Sequence, residues 1–144
     1  MIEKDTVRLL RECDAGIKMG VSAIDDVMEY VSADDFRQHL DACRREHEKL
    51  QAEIGEMLDE YGGEGKEPNP MAKGMSWMKT NMKLKMNESD QTIADLLTDG
   101  SNMGVKSLSR YLNQYAAASE RTKDITKRLI KLEEKLSVDM RDYL

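Results

Sequence analysis

Apolar residues recur every three or four positions along the N-terminal part of the chain, a spacing that predicts amphipathic helices with one buried face. The first helix is predicted from about residue 3 to residue 31, with its seam at Leu10, Cys13, Ile17, Gly20, Ile24, Val27 and Val31. The second is predicted to end near residue 61, with its seam at Phe36, Leu40, Cys43, His47, Leu50, Ile54, Met57 and Tyr61. Ser32 is the expected N-cap between them, so that the two helices form an antiparallel hairpin.

The same spacing returns near the C-terminus and predicts a second hairpin over about residues 88–144. Its first helix is expected from about residue 89 to residue 117, with its seam at Leu97, Ser101, Gly104, Leu108, Tyr111 and Tyr115. Ser119 is expected to cap a last helix that runs almost to the C-terminus, with its seam at Thr122, Ile125, Leu129, Leu132 and Leu136.

An internal repeat relates the two predicted hairpins. Residues 15–24 and residues 99–108 share Gly, Met, Gly and Val in the same order, and residues 45–50 match residues 131–136 after a shift of two. A duplicated helical hairpin explains both matches. Gly100 resembles a turn residue, but its counterpart Gly16 lies within a periodic helix, so the third helix is predicted to be continuous. The glycines favour a close crossing of helices one and three, with space for a small ligand as the alternative.

The connection over residues 62–87 has no counterpart in the repeat. A glycine-rich loop is followed by Asn69-Pro70, a typical helix start, and by a predicted short crossover helix from Met71 to Met86. One face of this helix carries Met71, Met75, Met78, Met82 and Met86. Two interpretations remain open. In the first, this face lies along the bundle and Trp77 stays partly exposed. In the second, a contact through Trp77, Met78, Met82 and Leu84 holds a second copy of the chain or another protein.

Composition and charge narrow the function classes. The 144 residues suffice for a single helical domain, and the net charge of -6 disfavours nucleic acid as a partner. No run approaches about 18 consecutive apolar residues, and the N-terminus lacks the apolar core of a signal peptide. We therefore expect a cytoplasmic location and no membrane binding. Cys13 and Cys43 are expected to be buried thiols, since the hairpin register places them too far apart for a disulfide.

A helix pair, a long connection and a second helix pair form the topology of ferritin-like bundles. The chain also resembles a bacterial ferritin-like family of unknown function. The likeness rests on Leu9-Leu10 followed by Gly16-Ile17, on Trp77-Met78-Lys79, and on Asp99-Gly100 in the third helix. This resemblance implies an all-α four-helix bundle. Ferritin-like enzymes and iron stores hold two irons through paired Glu-x-x-His motifs, but here the residue three before His47 is Arg44. A di-iron oxidoreductase or iron store is therefore the least favoured function.

His47 is the best single candidate for a metal ligand. Antiparallel pairing places it level with Met19 and Gly20, and the repeat places Glu133 level with Met103 and Gly104. One layer of the bundle is therefore the candidate metal site, and its possible ligands are His47, Glu46, Met19, Met103 and Glu133. Thioether and imidazole ligands suit Cu(I). The competing interpretation is a hydrogen-bonded core histidine with methionines that pack around it.

No catalytic residue or cofactor is predicted, because no nucleophile motif or phosphate-binding loop occurs in the sequence. The sequence therefore favours a non-catalytic structural or protein-interaction module. A bundle that binds a metal or a small ligand around His47 is the alternative.

Overall fold

The computed structural model describes residues 2–63 and 89–144. These residues form four α-helices and one short 3₁₀ helix, with no strand among them. The α-helices are α1 (Ile2–Met28), α2 (Asp34–Glu60), α3 (Asp90–Gln114) and α4 (Glu120–Met140), and Arg141–Tyr143 forms the 3₁₀ helix. For these residues, the prediction of an all-α architecture with four long helices is confirmed.

Hydrogen bonds at the two ends of the bundle define how the helices run. The backbone N–H groups of Ser32 and Ala33, in the turn between α1 and α2, donate to the Asp90 carboxylate at 2.8 and 3.0 Å. At the other end, the N–H of Ser119 donates to the Thr6 hydroxyl at 2.9 Å. These contacts make α1 antiparallel to α3 and parallel to α4. Helices α2 and α3 therefore run in the same direction, and residues 63 and 89 lie at opposite ends of the bundle.

The core consists of two apolar clusters, one towards each end of the bundle. The cluster near the α1–α2 turn includes Ile24, Phe36, Leu40, Ile93, Leu97 and Met140. The cluster near the start of α1 includes Leu9, Cys13, Ile17, Ile54, Leu108 and Leu129. Most predicted seam residues are buried, as the three-four spacing requires. In α4, however, Glu133 is buried at 9% exposure while the predicted seam residue Leu132 is only half-buried.

The helix boundaries correct several predictions. Helix α1 ends at Met28 instead of residue 31, and α3 ends at Gln114 instead of residue 117. Ser32 does not cap α2, because the N-cap is Ala33, whose side chain makes no capping hydrogen bond. The Asp90 carboxylate takes up the backbone donors of this turn instead. The predicted cap at Ser119 is confirmed, since its hydroxyl accepts from the N–H of Thr122 at 3.2 Å.

Helix α3 continues through residue 100, as the comparison with the first copy predicted. The predicted crossover helix over residues 71–86, and with it the contact residues Trp77, Met78, Met82 and Leu84, lie outside the described residues. Among the helices that the structure describes, none is both long enough and apolar enough to cross a membrane.

Ser119→Ala is expected to lower the free energy of unfolding by about 1 kcal/mol, because it leaves the first turn of α4 without its side-chain acceptor. Ser32→Ala is the matched control and is expected to leave the stability almost unchanged, since Ser32 takes part in its turn through its backbone N–H. Urea unfolding followed by circular dichroism measures both. Equal losses in the two variants would contradict the assignment of the caps.

Candidate functional site

A buried polar pair lies between the two apolar clusters. His47 on α2 is fully buried, and its Nε2 atom lies 2.7 Å from Oε1 of Glu133 on α4. Its Nδ1 atom donates to the carbonyl oxygen of Cys43, one turn earlier on the same helix, at 2.8 Å. Both ring nitrogens of His47 therefore have partners within the protein.

The antiparallel packing of α2 against α4 positions this pair. Two exposed ion pairs on the same helix interface define the register: Arg128 bonds Glu53 at 2.8 Å, and Arg121 bonds Glu60 at 3.1 Å. His47 lies in the apolar seam of α2, so its ring points inward and meets the seam of α4. Exposed ion pairs of this kind contribute little stability, but their spacing agrees with the position of the buried pair.

The hydrogen-bond pattern determines the protonation of the pair. A carbonyl oxygen only accepts, so Nδ1 carries a hydrogen, and a second proton must lie between Nε2 and the carboxylate. Burial lowers the pKa of His47, but the hydrogen bonds to Cys43 and Glu133 and the negative charge of Glu133 outweigh burial and raise this pKa to about 10. His47 is therefore protonated and positively charged at neutral pH.

The second glycine of each repeated segment makes room for this pair. A Cβ atom built on Gly20 would lie 3.1 Å from His47 Nε2 and 3.7 Å from Glu133 Oε1. One built on Gly104 would lie 3.5 Å from the Glu133 carboxylate. A Cβ on Gly16 or on Gly100 would meet nothing within 4 Å. Helices one and three were expected to cross closely at these four glycines. Instead, Gly20 and Gly104 face the side chains of the pair, and Gly16 and Gly100 face open space.

Of the five residues predicted as metal ligands, the structure brings together His47 and Glu133. Glu46 is exposed and bonds Lys49 at 3.1 Å. Met19 and Met103 are 46% and 63% exposed, because each precedes a glycine that faces the core, and neighbouring helix residues differ by about 100° in direction. Within the described ranges, no group of three His, Cys, Asp or Glu side chains is placed to hold a metal ion. The predicted levels were right for His47 with Gly20 and for Glu133 with Gly104.

The two cysteines occupy different surroundings. Both are free and buried, as expected. Cys13 bonds the Thr126 hydroxyl at 3.3 Å, and burial raises the pKa of its thiol to about 12. The Cys43 sulfur lies 3.5 Å from His47 Nδ1. The sequence interpretation missed this second contact, although the separation of four residues on one helix face predicts it.

Gly20→Ala and Gly16→Ala are expected to change the stability in opposite directions. Gly20→Ala crowds a His47 ring that two hydrogen bonds hold in place, so we expect a loss of roughly 1–3 kcal/mol, as for other overpacked sites. Gly16→Ala meets open space and gains helix propensity, worth up to about 1 kcal/mol. Chemical denaturation of the two variants measures the difference. Similar changes in both would contradict the proposed role of Gly20.

The stability of the protein is expected to fall as the pH rises from about 6.5 to 8.5. Because the folded state raises the pKa of His47 above its unfolded value of about 6.5, the stabilisation is complete below that value and is lost towards pH 10. The slope approaches about 1.4 kcal/mol per pH unit, the effect of one proton. Above about pH 9, the raised pKa of Cys13 also lowers the stability as the pH rises. The measurement is therefore limited to pH values below about 9.

Glu133→Gln removes the negative partner and is expected to abolish most of this slope, whereas the exposed neighbour Glu134 supplies the control Glu134→Gln. Urea unfolding at a series of pH values measures the slopes. A slope that survives unchanged in Glu133→Gln would show that the pair is not its source.

Comparison of the chain with protein-family models, with curated proteins and with solved structures gave no match.

Proposed function

We propose that this chain is a non-catalytic, ferritin-like helical module with a structural or protein-interaction role. The observation that carries the proposal is the closed hydrogen bonding of His47, whose two ring nitrogens are taken up by the Cys43 carbonyl and by Glu133. A general base or a metal ligand needs a free nitrogen lone pair, and this ring has committed both nitrogens to internal partners. We infer that this buried pair serves the packing of the helices.

A duplicated architecture is part of the proposal. His47 and Glu133 hold corresponding positions in the two matching segments of the sequence, and they bond each other at 2.7 Å. Gly20 and Gly104 also correspond, and both lie against Glu133. Contacts between corresponding residues are what a bundle built from two related hairpins around an approximate two-fold axis has to make.

The proposed partner is a second copy of the chain or another protein, bound through residues 71–86. Helix α2 ends and α3 begins at opposite ends of the bundle, and the 27 residues of α2 give a separation of roughly 40 Å. The sequence of residues 71–86 predicts a helix with a methionine face and, roughly opposite, Trp77 and Leu84. Two apolar faces need two partners, so the proposed contact with a second copy or another protein runs through Trp77, Met78, Met82 and Leu84.

Oligomeric state tests the partner. The wild-type chain is expected to elute as a dimer in size-exclusion chromatography with light scattering, and Trp77→Ala is expected to weaken the dimer and lower its mass. Val138→Ala is the control, because it removes an apolar side chain that is 49% exposed on α4. A wild-type monomer at every concentration, or an equal effect of both variants, would contradict the homodimer.

Metal analysis tests the non-catalytic assignment independently. Protein purified without chelators is expected to carry no stoichiometric transition metal, and His47→Gln is expected to change the stability without changing the metal content. A bound metal ion that is lost in His47→Gln would overturn the assignment and favour a metal-binding bundle.

A further inference from the structure

The outward face of α1 is covered near its middle. Arg11 lies four positions before Ala15 and Ser22 lies seven after it, and both are exposed, as outward residues are. Ala15 shares their direction on the helix, yet it is 9% exposed. Two comparable positions are exposed: Ala52 on the outward face of α2, and Asp99, which is the counterpart of Ala15 in the repeat. Ala15 is therefore covered although it points away from the core.

No other described helix lies on this side of α1. Asp25, which bonds α2, points about 80° to one side of Ala15. Asp5, which bonds the turn after α3, points about 80° to the other side. Cys13, which bonds α4, points about 160° away. Ala15 thus faces away from all three neighbouring helices.

A shielded ion pair lies next to Ala15. Oδ2 of Asp14 lies 2.7 Å from Nζ of Lys18, and the Asp14 side chain is buried. A pair with the same spacing on α2, Asp41 with Arg45, leaves the Arg45 side chain 72% exposed, against 28% for Lys18. The cover on α1 therefore extends over about one helical turn.

We propose that residues 71–86 of this chain dock on the outward face of α1 around Ala15, through Met71, Met75 and Met86. Methionine suits this surface, because its flexible side chain adapts to a face on which a small residue leaves a shallow gap. The inference goes beyond the proposed partner contact, which uses other residues of the same segment.

The two ends of the connection lie beside the two ends of α1. A Cβ atom built on Gly63 would lie 3.4 Å from Cγ1 of Val7, near the start of α1. Asp90 accepts hydrogen bonds from the turn that follows α1. The 25 residues 64–88 connect these points. If they run alongside α1, the middle of the connection, near Met75, passes the middle of α1, where the cover is observed.

Charge favours α1 over α4, which runs parallel to it. Residues 71–86 contain four lysines and no acidic residue. Helix α1 contains six acidic and four basic residues, whereas α4 contains five acidic and six basic residues. The outward face of α4 is also exposed along its length, at Glu120, Asp124, Lys127, Lys131 and Val138. A basic segment is therefore attracted to α1 more than to α4.

Thiol labelling in the full chain tests the cover. Ala15→Cys is expected to react with a bulky maleimide at least about tenfold more slowly than Ala52→Cys, because the cover has to open first. Mass spectrometry locates the label, and circular dichroism checks that both variants fold. Equal rates would overturn the docking. Loss of the protection on dilution would also overturn it, since a second copy would then be the cover.

Cross-linking tests the occupant with variants that leave Ala15 in place. Arg11→Cys and Lys131→Cys place thiols at exposed positions on the outward faces of α1 and α4, and each is combined with Met75→Cys. A short bis-maleimide is expected to join Met75→Cys to Arg11→Cys within one chain, with little cross-linking to Lys131→Cys.

Equal yields in the two double variants, or cross-links only between two chains, would contradict the docking on α1. A monomeric wild type would contradict the proposed homodimer and leave the cross-link within one chain unchanged. The docking and the proposed partner contact can therefore fail separately.

Discussion

The hydrogen bond between His47 and Glu133 places two opposite charges in the middle of a helical bundle and joins the second helix to the fourth. Removing such charges from water is costly, and their mutual attraction offsets the cost only while the geometry is kept. Space for the pair depends on Gly20 and Gly104, since a Cβ at Gly20 would crowd the ring and one at Gly104 would fill the space beside the carboxylate. The neighbouring helices are thus adapted to this one bond.

The pair also restricts how the two hairpins fit together. An apolar cluster lies on each side of it, so a shift of α2 by one turn along α4 would leave one charge facing aliphatic side chains. Apolar residues in place of a buried ion pair often give equal or higher stability, but they carry no charge that penalises such a shift. Hydrogen bonds at the two ends of the bundle agree with this register. Ser32 and Ala33 donate to Asp90 at one end, and Ser119 donates to Thr6 at the other.

Helix positions and the depth of the central layer could be predicted from the sequence, because both depend on local periodicity and on the turn between two helices. Periodicity placed His47 level with Gly20. It did not give the direction of Met19, which was expected in the layer but is exposed, since one step along a helix turns a side chain by about 100°. It also placed Leu132 in the α4 seam in preference to Glu133. A hydrophobicity pattern predicts that charged residues lie on the surface. The burial of Glu133 depends on its partner His47, which lies 86 residues away in the sequence.

The absence of a cap at Ser32 has a similar cause. Serine before a helix usually caps it, but here Ala33 is the N-cap, and the backbone N–H groups of Ser32 and Ala33 donate to Asp90, which is distant in the sequence. At Ser119 the cap could be predicted locally: the Ser119 hydroxyl accepts from the N–H of Thr122, three residues later, while the Thr6 hydroxyl accepts from the backbone N–H of Ser119.

Under the proposed duplication, the contact between His47 and Glu133 accounts for the difference between the two matching segments at this layer. If the segments were identical here, two identical side chains would face each other across the proposed two-fold axis. Two carboxylates at 2.7 Å could not both be ionised, and two imidazolium rings would repel each other in the same way. A histidine in one copy and a glutamate in the other satisfy both hydrogen bonding and charge. In the proposed duplicated bundle, the glycines beside the pair can therefore be the same in both segments, whereas the two residues of the pair have to differ.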